Sequence, residues 1–193
     1  KLSLSIGANI RKAGQDMEIG QTVLHKGQNL SPQRLGLIAS IGVQDIPVIK
    51  RLKVAMISTG DELVEPGRPL APGLIYNSNR YMLHALLKTF GFEVIDLGIV
   101  GDTLKATLHA LNTAAHEADV IISTGGASVG EEDHIQAAIK MLGSLDLWRV
   151  AIKPGKPFMF GQIADTPILG LPGNPGAVFV TYAMLARSFL LKS

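Results

Sequence analysis

Two segments of the chain share the tetrapeptide Ile-Ser-Thr-Gly, at residues 57–60 and 122–125, and each lies where an apolar run ends. Directly after the first segment come Asp61 and Glu62. Their carboxylates can hold a metal ion, orient a substrate hydroxyl or accept a proton. A capped turn is the alternative, because aspartate after glycine is common in turns. The first segment therefore marks a candidate acidic site.

The second segment continues as a glycine-rich loop, residues 125–133, which ends at Asp133. Gly125, Gly126 and Ser128 allow backbone N–H groups to approach a phosphate closely, and a helix start after the loop would favour an anion. The loop matches neither the Walker pattern nor G-x-G-x-x-G, so no nucleotide fingerprint applies. The alternative is a flexible loop in which Asp133 caps the next helix.

Lys153 and Lys156 lie in a stretch, residues 151–157, that contains two prolines and a glycine. Ammonium groups are point charges that suit oxyanions, and a stiff backbone lowers the entropy lost in holding them. The alternative is a pair of solvated surface lysines. Their spacing favours an oxyanion site.

Two further loops carry weaker signals. Asp102 follows the apolar run that begins at Val94, and capping of the next helix would by itself explain it. Residues 171–176, which include Pro172, Asn174 and Pro175, can form an anion-accepting turn or simply a well-made helix start.

The sequence does not support a zinc site or a serine-hydrolase nucleophile. The five histidines lack zinc-ligand spacing, and no serine stands in a G-x-S-x-G elbow. The loops therefore offer carboxylates and lysines that together suit a polyanion held partly through a divalent cation such as Mg²⁺. The carboxylates are those of Asp61, Glu62, Asp102 and Asp133.

Short apolar runs alternate with helical patterns from residue 51 to residue 193. The runs at 54–58, 94–97 and 120–123 show little alternation, as expected for strands buried on both faces. Residues 147–152 predict a further strand, and residues 158–163 and 167–171 predict a hairpin around Ala164 and Asp165. We therefore expect an α/β fold, a three-layer αβα sandwich with a largely parallel, mixed sheet.

Residues 1–50 differ from this pattern. Loose alternation over residues 2–10 and a short run at 21–25 predict a small β-rich segment. A helix follows, with Ser31 as N-cap, Pro32 at its first position and Gly42 after its end. The chain also begins in what reads as the middle of a strand, which suggests an excised fragment.

Composition narrows the function classes. The chain has 193 residues, 47% hydrophobic, with a net charge of +2 and no basic run, so it does not predict nucleic-acid binding. Cysteine is absent, which excludes disulfides and thiolate metal sites and fits a cytoplasmic location. We read neither a signal peptide nor a membrane span in it.

Several motifs, in order along nearly the whole chain, resemble the molybdopterin molybdenumtransferase family, the MoeA group to which the gephyrin E domain belongs. They are residues 58–63 (Ser-Thr-Gly-Asp-Glu-Leu), 75–79 (Ile-Tyr-Asn-Ser-Asn), 125–133, 152–157 and 171–175. Residues 7–11 and 14–16 resemble a motif of that family's second domain. The resemblance implies part of the second domain followed by the third, molybdopterin-binding domain.

The resemblance also implies an activity and its residues. The family takes adenylylated molybdopterin and molybdate, cleaves the adenylate with Mg²⁺ and leaves molybdenum on the dithiolene. Glu62, Asp102 and Asp133 would be the catalytic acids, with Glu62 and Asp133 on the metal, and Lys153 and Lys156 would help to hold molybdate. The other implied substrate-binding residues are Ser58, Thr59, Gly60, Asp61, Gly125, Gly126, Ser128, Pro172, Asn174 and Pro175, with Arg11 and Asp16 contributed by the second domain.

The resemblance implies small-molecule substrates, a cytoplasmic homodimer and contact with the molybdopterin adenylyltransferase. That adenylyltransferase, which has the same fold, is the nearest alternative, although its loop reads T-G-G-T-G where this chain has Ala127 and Ser128. A nucleotide-cleaving amidohydrolase-type relative is a weaker alternative. A non-catalytic, gephyrin-like scaffold would have no need of the acids and lysines. Because the family's first and last domains are missing, we expect little activity from the chain alone.

Overall fold

The computed structural model describes residues 5–125 and 134–193, and the chain divides into two compact units, Lys1–Ile49 and Lys50–Ser193. No helix within the described residues is long and apolar enough to cross a bilayer.

Among its described residues the first unit contains one helix, α1 (Pro32–Ser40), where the sequence predicted it. The Ser31 hydroxyl accepts a hydrogen bond from the backbone N–H of Arg34 at 3.4 Å. The predicted strands are wrong over residues 5–31, which form turns and extended stretches without a strand ladder. Glycines with positive φ punctuate this region every six or seven residues, and an extended stretch without a backbone partner is not a strand.

The second unit is built on a six-stranded sheet in the order β4-β1-β5-β8-β7-β6. All neighbouring pairs up to β8 are parallel, and β7 is antiparallel to both of its neighbours. The strands are β1 (Lys53–Thr59), β4 (Glu93–Val100), β5 (Val120–Thr124), β6 (Gly143–Trp148), β7 (Met159–Ile163) and β8 (Thr166–Leu171). A separate parallel pair is formed by β2 (Leu63–Val64) and β3 (Ile75–Tyr76).

Helices cover both faces of this sheet. They are α2 (Ser78–Thr89), α3 (Leu104–Glu117), α4 (His134–Leu142), α5 (Pro175–Thr181) and α6 (Arg187–Leu190), with a π-helical turn, Tyr182–Ala186, between the last two. Alternate residues of β1 enter opposite cores. Val54 packs with residues of α2 and α5, whereas Ala55 packs with residues of α3 and α4. The predicted αβα sandwich with a mostly parallel sheet is therefore confirmed.

Two local predictions are wrong. The strand expected at 147–152 is β6, which starts at Gly143 directly after α4, because a glycine there lets the chain pass close against the backbone of Gln162. The N-cap of α3 is Thr103 rather than Asp102, and its hydroxyl accepts from the N–H of Ala106 at 3.3 Å.

The side-chain hydroxyl of Tyr182 is buried, and its removal should change the stability of the protein. Tyr182 is 1% exposed, its hydroxyl has no hydrogen-bond partner among the described residues, and burial raises its pKa to about 12. An unpaired buried hydroxyl is costly. We therefore expect Tyr182→Phe to raise the free energy of unfolding by about 1 kcal/mol at neutral pH, as measured by denaturant titration.

The same side chain sets a pH dependence. Because the folded-state pKa lies above the ordinary value of 10.0, the neutral form stabilises the native state fully below pH 10, and this stability is lost as the pH rises toward 12. The advantage of Tyr182→Phe over the wild type should widen in that window. As a control, Tyr76→Phe removes a hydroxyl that donates to the Arg68 carbonyl at 2.9 Å and should not stabilise. A less stable Tyr182→Phe would contradict the assignment.

Candidate functional site

One edge of the sheet gathers the loops that the sequence analysis singled out. The parallel strands β4, β1, β5 and β8 all end at this edge. The loop between β6 and β7 opens there too, since Trp148 pairs with Met159 and Met159 pairs with Gly170 near the end of β8. Ligands of such sheets bind beyond the carboxyl ends of the strands. We call this edge the carboxyl rim.

Gly125 brings three of these loops into contact. Its φ is +87°, and a Cβ at this position would overlap the carbonyl oxygen of Thr59. A Cβ built on Gly173 would lie 4.0 Å from the Cα of Gly125. Only a residue without a side chain permits this approach. The residues that directly follow β1, β5 and β8, which we call the exits of these strands, therefore meet at one point.

A cavity of about 310 Å³ lies at that meeting point. Its walls are formed by residues from the exits of β1, β5 and β8, from β3 and from the start of α2. They are Thr59, Glu62, Leu63, Ile75, Tyr76, Asn77, Ser78, Asn79, Thr124, Gly125, Gly173, Asn174 and Pro175. Glu62 is the only charged side chain among these described residues.

Several wall residues are buried yet keep polar atoms without partners among the described residues: Thr59 Oγ1, Asn77 Nδ2 and Asn79 Oδ1. The other ends of both amides are engaged. Asn77 Oδ1 caps α2 by accepting from the N–H of Arg80, and Asn79 Nδ2 donates to the carbonyl of Gly173 at 2.7 Å. Unpaired buried polar atoms are uncommon in native proteins, and beside a cavity they are open to hydrogen bonds with a ligand or with water.

The acids lie together at the exits of β1 and β4. The Glu62 carboxylate folds back over Gly60, where a Cβ would come within 2.5 Å of it. Asp61 Oδ1 accepts a hydrogen bond from the backbone N–H of Asp102 at 3.1 Å, which ties the two exits to each other. No group of three metal-ligating side chains occurs within residues 5–125 and 134–193.

Lys153 and Lys156 lie on the same rim, in the exposed loop between β6 and β7. Gly155 anchors this loop, since a Cβ there would come within 2.5 Å of the Thr181 methyl group. The lysines are outside the wall of the cavity. From β1 to β7 the sheet order gives three strand spacings, about 14 Å in all.

A charged network that sequence reasoning missed fixes the start of α2. Arg80 donates from Nε to both oxygens of Asp96 and from Nη1 to Glu65 at 2.6 Å, while the Tyr81 hydroxyl donates to the other Glu65 oxygen. The hydrogen bond to Asp96 and that to Glu65 raise the pKa of Arg80, against the effect of burial. The hydrogen bond to Glu65 raises the pKa of Tyr81. The network joins the segment before β3 to β4 and so holds the helix start that carries Asn77 and Asn79.

The other predicted residues are distributed as follows. Ser58 is buried in β1, where its hydroxyl accepts from Thr124 at 3.3 Å, and it is not on the cavity wall. Asn174 is on the wall and also caps α5 through the N–H of Ala177. In the first unit, Arg11 and Asp16 form an exposed ion pair at 2.6 Å. Gly126, Ser128 and Asp133 lie outside the described residues.

Residues 75–79 are the main omission. They were recognised as a motif but were not assigned to the site, although all five line the cavity. The available signal was the pair of asparagines at a helix start.

Gly125 gives the test of this arrangement. Gly125→Ala should lower the free energy of unfolding by at least about 2 kcal/mol, because the new Cβ meets the Thr59 carbonyl and the positive φ is strained. Gly101→Ala is the matched control, since its Cβ meets nothing within 4 Å and its φ is not in the left-handed region. Equal denaturation midpoints for the two variants would refute the close contact.

Comparisons with known proteins agree with this architecture. The family described as "Probable molybdopterin binding domain" matches residues 55–192, and the "MoeA N-terminal region (domain I and II)" matches residues 2–42. A molybdopterin molybdenumtransferase of Haemophilus influenzae is 43% identical over 95% of this chain and 46% of its own length. One from Bacillus subtilis is 34% identical over 98% of the chain and 44% of its own length.

Solved structures show the same relation. A molybdopterin biosynthesis MoeA protein from Pyrococcus horikoshii superposes with a TM-score of 0.84 at 34% identity, over 93% of this chain and 44% of the other. The tungsten cofactor synthesizing protein MoaB from Pyrococcus furiosus, at 21% identity and a TM-score of 0.57 over 74% of this chain and 94% of the other, shares the fold alone. The chain spans about half the length of the curated relatives it matches. It belongs to the molybdopterin molybdenumtransferase (MoeA) family, with the molybdopterin-binding domain of that family as its second unit.

Proposed function

We propose that this chain supplies the molybdopterin-binding part of a molybdenumtransferase in molybdenum cofactor biosynthesis. The reaction takes adenylylated molybdopterin and molybdate, releases the adenylate and leaves molybdenum on the dithiolene. One observation carries the proposal: in a chain of this family, the acids, the lysines and a cavity with unpaired polar atoms share the carboxyl rim.

The lysines are proposed to hold molybdate. Lys153 and Lys156 are exposed cations on a loop anchored through Gly155, so they can meet an oxyanion without losing much conformational entropy. Pro172 and Pro175 bound the neighbouring turn and limit its conformations. Molybdate would then bind at the part of the rim near β7, whereas the cavity lies at the part near β1 and β5.

The acids are proposed to act near the adenylate. Mg²⁺ prefers oxygen ligands and is commonly held by one or two carboxylates together with substrate phosphates. Glu62 on the cavity wall is proposed as one protein ligand, and Asp61 and Asp102 at the adjoining exits keep its surroundings acidic. When bound, Mg²⁺ would offset the charge that develops as the phosphoanhydride is cleaved. Asp133 is proposed as its second protein ligand.

The rest of the site is proposed to come from elsewhere in the assembly. Arg11 and Asp16 would complete it from the second domain, in a cytoplasmic homodimer that receives its substrate from the molybdopterin adenylyltransferase. Since the chain spans about half of its relatives, we expect it to bind the pterin weakly and to insert metal poorly by itself.

Calorimetry can separate this function from that of an adenylyltransferase. We expect the full-length protein to bind adenylylated molybdopterin more tightly than molybdopterin, and the difference to grow with Mg²⁺, because Mg²⁺ held by the carboxylates would favour a ligand that carries the additional phosphate. Titrations of both ligands with and without Mg²⁺ measure this. Tighter binding of unmodified molybdopterin would favour the adenylyltransferase, and binding of neither would favour a scaffold.

Lys153→Ala tests the oxyanion site. Loss of a charge-assisted contact should raise the molybdate concentration that half-saturates insertion by about tenfold in the full-length protein. Lys88→Ala is the matched control, because it removes the same charge from the exposed last turn of α2, which runs away from the carboxyl rim. If both variants show the wild-type molybdate dependence, Lys153 does not bind the oxyanion.

A further inference from the structure

Without a bound cation, the described walls of the cavity beside Gly125 are poorly suited to a phosphate or molybdate group. Its described walls contain no lysine or arginine, and their only charged side chain is the Glu62 carboxylate, which repels anions. The neutral wall residues offer amides and hydroxyls beside the apolar side chains of Leu63 and Ile75 and the ring of Tyr76. Flat apolar contacts with a few placed polar groups are typical of sites for heteroaromatic rings.

Asn79 is the residue of this wall whose chemistry is most constrained. It is 8% exposed, and its Nδ2 is committed to the carbonyl of Gly173, 94 residues away in sequence. That bond fixes the orientation of the amide, because Nδ2 must face the 172–175 turn. Its Oδ1 is thereby left as an acceptor without a partner among the described residues.

An acceptor fixed in this way, with no donor among the described residues, is open to a donor from a ligand or from water. Phosphate, molybdate and dithiolene offer no N–H donor, whereas both ring systems of an adenylylated pterin carry an exocyclic amino group. An amino group on a flat ring would place an N–H at the amide while the ring lies against the apolar wall.

We propose that Asn79 is a specificity-determining residue that accepts a hydrogen bond from the exocyclic amino group of a nitrogen heterocycle bound in this cavity. The inference rests on the proposed function for its ligand and deepens it by naming the part of the substrate that this cavity binds. The anionic part of the ligand would then lie outside the cavity, along the rim that carries the acids and the lysines.

Two pairs of probes separate the sources of the amino group. Pterin is compared with lumazine, in which oxygen replaces the 2-amino group, and adenosine is compared with inosine, in which oxygen replaces the 6-amino group. Dissociation constants are measured for this chain by ligand-observed NMR titration. Within one pair we expect the amino compound to bind about tenfold more tightly, because its oxo partner leaves the buried Oδ1 unpaired.

Three variants show whether Asn79 causes the preference. Asn79→Ala should reduce the ratio within that pair to about one, whereas Asn79→Asp keeps an acceptor and should keep the preference even though it loses the bond to Gly173. A residue that only positions the turn would weaken both members of a pair equally and leave the ratio unchanged. Asn112→Ala, which removes an amide from the exposed surface of α3, is the matched control and should change neither ratio.

The outcomes are separable from those of the proposed function. An Asn79-dependent ratio in the pterin pair places the pterin in the cavity, and one in the adenosine pair places the adenine there. Ratios near one in both pairs for the wild type, or ratios unchanged in Asn79→Ala, overturn the role of Asn79. Calorimetry with adenylylated molybdopterin continues to test the transferase function in either case.

Discussion

The contact between Gly125 and the backbone of Thr59 is the constraint on which the site depends. Parallel strands end at the same edge of a sheet, but the residues that follow adjacent strands ordinarily carry side chains that hold the loops apart. At this edge a glycine with positive φ removes that spacing, and Gly173 comes close to the same point. The exits of three strands are thereby drawn together around one cavity, and the residues that follow each strand become its walls.

The two buried faces of the sheet make this geometry rigid. The core strands present mostly apolar side chains to helices on both sides, so the polar side chains that a ligand can reach collect at the rim. The start of α2 is held at that rim by charge as well as by packing. Arg80 satisfies two carboxylates that would otherwise repel each other, and it keeps the asparagines of the helix start beside the exits.

The rim separates two kinds of recognition. Near β1 and β5 the cavity is neutral or acidic, and its amides have fixed orientations. Toward β7 the rim is cationic and exposed, on a loop whose glycine packs against α5. Under the proposed function, a substrate with flat heterocycles at its ends and anionic groups between them would meet complementary chemistry along such an edge. The separation also explains why the acids and lysines do not form ion pairs with one another among the described residues.

The sequence by itself determined the αβα sandwich, the β7–β8 hairpin, α1 with its Ser31 cap and the presence of Glu62, Gly125 and the lysines on strand exits. These follow from local apolar periodicity, from turn chemistry and from the rule that parallel strands end together. It placed β6 four residues late and assigned the cap of α3 to Asp102, because helix and strand boundaries depend on contacts with distant backbone. Only the tertiary structure showed that Asn79 bonds to Gly173 and that Arg80 bridges Glu65 and Asp96. Those partners are between 15 and 94 residues apart, and no local pattern records which distant groups a fold brings within hydrogen-bonding distance.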